Sequence, residues 1–301
     1  MSAAAATGRR FAFRRALHRA PWAIGLSVAW LVLAVVLAIG ADWIGPFSPT
    51  RQSLLLRLKP PSFMGGPAGH WLGTDHLGRD VFSRLLAAMR VSLLIALFGT
   101  WIGALLGTVL GVVAAHFRGV VGGAVMALVD FQASMPFLII ALAVLAFLGN
   151  SFVLFVFVVG LHGWEVYARI TRGQVLAANA RGFAGAIRDL GAHPVRIYMR
   201  HVLPNIAGVL IVQVTLSFPE TILLETSLSF LGLGVQPPRA SLGLMLGEGR
   251  NYLLSAPWIG LPAGVVIFLT TLAMSLVGDW VRDRLDPRLR ATPHGGSPGG
   301  V

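Results

Sequence analysis

Long apolar runs with at most two charged residues each recur along this chain, and they constrain its fold more than any other feature. They fall at about 22–41, 91–115, 120–148, 151–168, 205–225 and 259–278. A helix rises about 1.5 Å per residue, so roughly 20 apolar residues cross the hydrocarbon core of a bilayer. Each run reaches that length or comes close. Backbone groups inside lipid must be satisfied within the span, which favours helices. The expected fold class is all-α: a polytopic transmembrane bundle of about six spans. Composition agrees. Only 12% of residues are charged and 55% are hydrophobic, with a mean hydropathy of +0.75. A soluble domain carries about a quarter charged residues.

The segments between the runs set the organisation. Residues 1–20 form a basic arm with Arg9, Arg10, Arg14, Arg15 and Arg19. The run after it is too long for a typical signal-peptide core and no A-x-A site ends it, so a retained first span is expected. Residues 42–87 are polar and rich in Pro and Gly, which predicts an ordered or semi-ordered external segment rather than a span. The expected division is 1–87 (arm, first span, external segment), 88–290 (the transport bundle, with a long loop at 169–204) and 291–301 (a disordered tail).

Of the 24 basic residues, 23 are Arg, and they lie in blocks between apolar runs. That pattern fits positive-inside topology rather than nucleic-acid binding. With the N-terminus inside, the inner segments hold 16 basic residues and the outer ones 8. Both termini are then cytoplasmic, in a multi-pass protein of the cell membrane in contact with lipid and not nucleic acid.

Several chemistries are excluded. The chain has no cysteine, hence no disulfide, thiol catalysis or Cys-ligated metal. Its only lysine, Lys59, follows Leu58, so no G-x-x-x-x-G-K-[ST] loop exists to hold ATP phosphates. No H-E-x-x-H motif is present. No cofactor is expected and the chain itself is not expected to be an enzyme.

The loop at 169–204 is too long for a simple helix hairpin. Phe183, Ile187 and Leu190 share one face of a predicted short helix. Gly191 suits the left-handed position that ends a helix, and Pro194 the first turn of the next. Pro204 precedes the fifth span, where a missing N–H costs nothing. The helix either lies on lipid or is a knob for a soluble cytoplasmic partner.

Other residues carry alternatives. His70, Asp75, His76, Arg79 and Asp80 cluster in the external segment. They form a metal site, a loop tied by ion pairs and Asx turns, or a partner contact. No metal is expected there. Asp130, Glu165, Glu220 and Glu225 fall in or near spans, where an ionised carboxylate at the bilayer centre costs about 2.5–3.5 kcal/mol. Asp130, Glu220 and Glu225 are candidate pathway residues, or else polar packing anchors. Pro136 is expected to be tolerated inside the third span, and Pro219 to break the fifth. Gly99, Gly103, Gly107 and Gly111 repeat every four residues, a ridge for close helix packing.

Four stretches resemble a known family. The loop resembles the E-A-A-x-x-x-G, nine residues, I-x-L-P pattern of ATP-binding-cassette importer permeases. It supplies Gly185, Ala186 and Ile187, then Gly191, then His201, Leu203 and Pro204, with Gly185 in place of the family's Glu. Leu72-Gly73-Thr74-Asp75 with Gly78-Arg79-Asp80, Leu228 to Pro238, and Gly278-Asp279 through Arg290 resemble the oligopeptide, dipeptide and nickel branch, C-type subunit. The resemblance implies a type I importer permease working with two ATPase subunits, a second homologous permease and an extracytoplasmic substrate-binding protein. It implies ATPase coupling through Phe183, Gly185, Ala186, Ile187, Leu190, Gly191 and Pro204. Gly73, Thr74, Asp75, Gly78, Arg79 and Asp80 would be external partner contacts or structural. The alternatives are an ion-coupled secondary transporter, which usually shows repeats and broken helices, and a membrane enzyme.

Overall fold

The computed structural model describes residues 21–180 and 193–285. Among them every regular element is helical, and the sole strand-like feature is a bridge between Thr74 and Asp80. The main helices are α1 (Pro21–Ile39), α2 (Val81–His116), α3 (Val120–Ser134), α4 (Phe137–Leu148), α5 (Phe152–Gly160), α6 (Trp164–Ala180), α7 (Leu203–Phe230), α8 (Leu242–Gly249) and α9 (Leu261–Leu285). Five apolar stretches are long enough to cross a membrane, or six if α3 and α4 count as one broken span. At most 39% of the apolar window of any of the five is buried within the chain. The remainder needs lipid or another protein to cover it.

α2 is the axis. Its 36 residues span about 54 Å, well beyond the hydrocarbon core. Asp80 starts it: its carboxylate accepts the Ser83 N–H at 2.8 Å, an N-cap that removes one orphan donor. The glycine ridge then faces α5 and α6. An added Cβ would meet Val159 Cγ1 at 2.9 Å from Gly99, the His162 carbonyl at 2.8 Å from Gly103, the Trp164 carbonyl at 2.2 Å from Gly107 and the Ala168 carbonyl at 2.6 Å from Gly111. Without these side chains the two backbones come into contact, and dispersion supplies the adhesion that hydrophobic burial cannot supply in lipid.

Two spans are interrupted. α3 and α4 meet at 92° around Met135 and Pro136, so the third apolar run is not one straight helix as expected. Pro136 removes a donor and biases Met135 toward an extended conformation (φ −107°, ψ 140°), which ends α3. α5 and α6 are separated by Leu161–Gly163, with Gly163 at φ +76°. The rings of Phe137 and His162 pack 5.1 Å apart, so the two interruptions adjoin.

Pro219 behaves in the opposite way. α7 continues through it for 28 residues, correcting the expected break. The carbonyl that loses its donor belongs to Thr215, and Gly278 of α9 packs beside it; a Cβ there would lie 3.2 Å from that oxygen. A glycine lets α9 press on α7 where the ladder is weakest.

The chain's turns sort to two ends. Arg90 Nε donates to the Ala38 carbonyl at 2.7 Å, and Ala38 clusters with Val81 and Ala263. The C-terminal end of α1 and the N-terminal ends of α2 and α9 therefore lie together, under the segment 42–80. At the far end His116 meets the Tyr198 hydroxyl at 3.0 Å, and Ala115, Ala178 and Ile197 form a buried cluster. Pro21, His116, Ala180, Pro194 and Leu285 all belong to this second end.

The ridge makes a direct prediction. Gly107→Ala is expected to lower the detergent melting midpoint, by about 1–3 kcal/mol of overpacking. Gly123→Ala, where a Cβ meets nothing within 4 Å, is expected to be neutral or stabilising. Equal behaviour of the two variants in a thermal-shift measurement would contradict the packing.

Candidate functional site

Three regions hold the residues singled out from the sequence. The first is the segment 42–80. It folds back on itself through Thr74 N–H to the Lys59 carbonyl (3.0 Å) and Leu58 N–H to the Asp75 carbonyl (3.0 Å). Trp258 Nε1 donates to the Thr74 carbonyl at 3.2 Å, tying the segment to the start of α9. Gly78 has φ +70°, and a Cβ on it would lie 1.8 Å from the Ser53 carbonyl, so only glycine closes this turn.

At its centre are four charges that cancel. Asp75 Oδ1 accepts from the Leu77 and Arg79 backbone N–H groups at 2.8 and 2.9 Å, an Asx turn. Asp75 Oδ2 accepts from Arg79 Nε at 2.6 Å and from Arg84 Nη1. Both guanidiniums then reach Glu248 of α8, at 3.2 and 2.8 Å. Burial pushes the Asp75 carboxyl up, but the guanidiniums and backbone donors outweigh it and hold it below the ordinary carboxylate range. Beside this network His70 Nδ1 meets Asp80 Oδ1 at 2.9 Å, and Ser83 Oγ donates to Asp80 Oδ2 at 2.7 Å.

Gly73, Thr74, Asp75, Gly78, Arg79 and Asp80 are all buried. They hold the segment's shape from within. Sequence reasoning brought Asp75, Arg79 and Asp80 together but missed Arg84 as their partner and Glu248, 164 residues further on. Asp75, His76 and Glu248 each place a ligand atom within 4.8 Å of the others. A cation there would have to displace two guanidiniums already bonded to the carboxylates.

The second region runs through the membrane. Asp130 on α3 is paired with Arg169 of α6 at 3.0 Å, both well exposed. Glu220 on α7 is exposed and Glu165 on α6 half-buried. Glu225, only five residues from Glu220, is fully buried. Ser229 Oγ donates to it at 2.8 Å, and the Ser92 and Ser241 side chains lie beside it. Those two serines in turn accept the Leu242 and Leu244 backbone N–H groups, so Glu225 fastens α8 to α2 and α7. The structure thus places Asp130 and Glu220 on exposed faces and Glu225 inside.

The third region is the end of the bundle beyond Ala180. Phe183, Gly185, Ala186, Ile187, Leu190 and Gly191 lie outside the described residues. Helix extends further toward them than the expected loop boundaries of 169–204. α6 reaches Ala180, and the chain is helical again from Pro194, which stands in the first turn as expected. Pro204 lies in the first turn of α7, just after a wide π turn over Tyr198–Val202. Its ring cannot donate to the Arg200 carbonyl, and the wider turn accommodates it.

The described helices define a multi-pass helical membrane protein. A family model described as "Binding-protein-dependent transport system inner membrane component" matches residues 107–291. The chain is 40% identical over 265 residues to the "Di/tripeptide transport system permease protein DppC" of Pseudomonas aeruginosa, covering 88% of both chains. It is 36% identical to the "Glutathione transport system permease protein GsiD" of Escherichia coli O6:K15:H31, covering 88% of this chain and 86% of that one. With the "Dipeptide transport system permease protein DppC" of Bacillus subtilis the identity is 37%, covering 86% and 80%. Among solved structures, the MetNI methionine ABC transporter in inward-facing form aligns with a TM-score of 0.53 at 19% identity. That alignment covers 67% of this chain and 96% of that one, and it bears on the fold alone.

The chain belongs to the binding-protein-dependent transport system inner membrane component family. It is the permease component of an ATP-binding-cassette importer, embedded in the membrane by several spans, and works with ATPase and substrate-binding partners.

The buried network yields the next prediction. Arg84→Met leaves the carboxylates of Asp75 and Glu248 with Arg79 as their one guanidinium and is expected to cost about 3–5 kcal/mol. Asp42→Asn, which removes an exposed ion pair with Arg90, is expected to cost under about 1 kcal/mol. Because the folded Asp75 carboxyl lies below its ordinary value, its ionised form stabilises the segment above the usual carboxylate range. That contribution is lost as pH falls through the depressed value. Protease resistance of residues 42–80 should hold from neutral pH down to about pH 4 and decline below it.

Proposed function

We propose that this chain is one of two homologous permeases forming the pathway of an ATP-driven importer for peptides or related small solutes. Its best support is the likeness to a di/tripeptide permease along 88% of both chains. Two ATPase subunits would drive it from the cytoplasm, and an extracytoplasmic binding protein would deliver substrate. The relatives are named as permeases of peptide or glutathione transport systems, which favours this reading over an ion-coupled carrier.

The sidedness proposed is the one that Arg counting suggests. Segments 1–21, 116–119, 169–204 and 279–301 carry 16 of the 24 basic residues, and the described residues Pro21, His116, Ala180, Pro194 and Leu285 lie at one end of the bundle. That end is taken as cytoplasmic, with both chain termini there. The proposed division is an arm, first span and external segment over 1–87, the permease bundle over 88–290 and a tail over 291–301.

ATPase contact is assigned to Phe183, Gly185, Ala186, Ile187, Leu190 and Gly191, with Pro204 at the root of the following helix. The arrangement of α6 and the helical stretch from Pro194 supports this, since both run directly into 181–192 and pack in one buried cluster. Movement of the loop would carry α6 and α7 with it, rocking the bundle between inward and outward states. Asp130 and Glu220 are assigned to the pathway wall. The enclosed position of Glu225 favours a role in holding α8 closed over the outer end. The buried six residues of the external segment favour shaping that surface rather than touching a partner directly.

Purified with its ATPase subunits, the chain is expected to form one stable complex that hydrolyses ATP and imports substrate. Gly191→Glu should abolish ATP-dependent uptake while leaving membrane insertion intact. Uptake that persists without the ATPases, under an ion gradient alone, would refute the reading.

A further inference from the structure

The charged face within the bundle has a composition that selects a ligand. Thr221, next to Glu220, meets the Thr100 hydroxyl at 3.2 Å, and Thr100 lies near the midpoint of the 36-residue α2. Glu220 therefore sits near the middle of the bundle's length. It is exposed and makes no hydrogen bond or ion pair among the described residues. Its electrostatic neighbours are Glu165 and Tyr167 of α6. Glu165 Oε2 is buried without a hydrogen-bond partner. Tyr167 is 1% exposed, and its hydroxyl faces Ser217 of α7 with no partner at hydrogen-bond distance. One turn along α6, Arg169 is held by Asp130; a further turn on is Arg172, whose Nε is buried and unpartnered.

A face of this kind is not compatible with lipid. The exposed side chains of α1 and α9, among them Val32, Val36, Phe268 and Leu272, are apolar and suit it instead. The two helix interruptions adjoin this level, as discontinuous helices do around solute sites in other transporters. Carboxylates only accept hydrogen bonds, whereas an ammonium offers three donors and the complementary charge. An anionic group would meet the two unpaired carboxylates first; of the guanidiniums along α6, Arg169 is engaged by Asp130 and Arg172 lies seven residues beyond Glu165.

We propose that Glu220 and Glu165, backed by the buried Tyr167, form the pathway's transient binding point for a protonated amine, such as the terminal ammonium of a peptide-like solute. This rests on the reading of the chain as a peptide permease, and gives that pathway a chemical selectivity of its own, separate from the binding protein's.

The test uses proteoliposomes holding the complete transporter, with ATP-driven uptake of radiolabelled alanyl-alanine as the readout. Glu220→Gln and Glu165→Gln are each expected to lower the maximal rate about tenfold, the loss of one charge-assisted hydrogen bond. The half-saturation concentration should change little, because capture from solution belongs to the binding protein. Glu220→Asp should restore most of the rate. Since Glu220 has no internal partner, neither substitution removes a contact that folds the chain. Unchanged rates in the Gln variants, or equal losses in the Gln and Asp variants, would overturn the proposal. If the wild-type transporter hydrolyses ATP but takes up no alanyl-alanine, the peptide reading itself fails, and this proposal with it.

Discussion

Contact of the α2 backbone with α5, α6 and the turn between them, made possible by four glycines, is the interaction on which the rest of the structure depends. In lipid, apolar surface is no reason for helices to associate. Shape must supply the adhesion, and here a bare ridge receives the carbonyls of His162, Trp164 and Ala168. α2 runs the length of the bundle, so whatever is fixed to it is fixed to one frame. α6 carries Glu165, Tyr167 and Arg169 on that frame and leads directly to residues 181–192. The same contact thus positions the charged face and connects it to the end where the coupling region is proposed.

The two ends of the bundle are built on different principles. Under the segment 42–80, two acids and two arginines form a closed, neutral group, with Asp80 capping α2 and Glu225 fastening α8. Buried charge is costly unless every partner is present, so this end tolerates few alternative arrangements. At the other end the chain relies on a small apolar cluster around Ala115, Ala178, Ile197 and Tyr198, followed by a wide turn at 198–202. A stiff cap opposite a more adaptable end suits a lever moved from one side.

Much of this was legible in the residues. Long apolar runs gave the number of spans, and the Asx-type motif around Asp75 indicated an ordered loop. What was not legible depends on distant or contextual partners. Glu248 joins Arg84 across 164 residues of chain, which no local pattern reveals. Leu161–Gly163 interrupts a span without proline. The two prolines exchanged roles: Pro136 bends its span by 92°, whereas Pro219 leaves α7 intact because Gly278 covers the freed carbonyl. Glu220 and Glu225 looked equivalent as membrane acids. Five residues turn a helix by about 140° beyond a full circle, so they point to different environments.

The absence of cysteine makes the chain a ready background for the decisive measurement. In the assembled transporter, Glu220→Cys and Phe268→Cys are introduced one at a time and labelled with a water-soluble maleimide, with and without ATP and from either side of the membrane. Position 220 is expected to react from one side in the resting state and to change its accessibility when nucleotide binds, while position 268 stays unreactive throughout. Failure of position 220 to react in any state, or reaction that ignores nucleotide, would contradict a watery path controlled from the far end of α6.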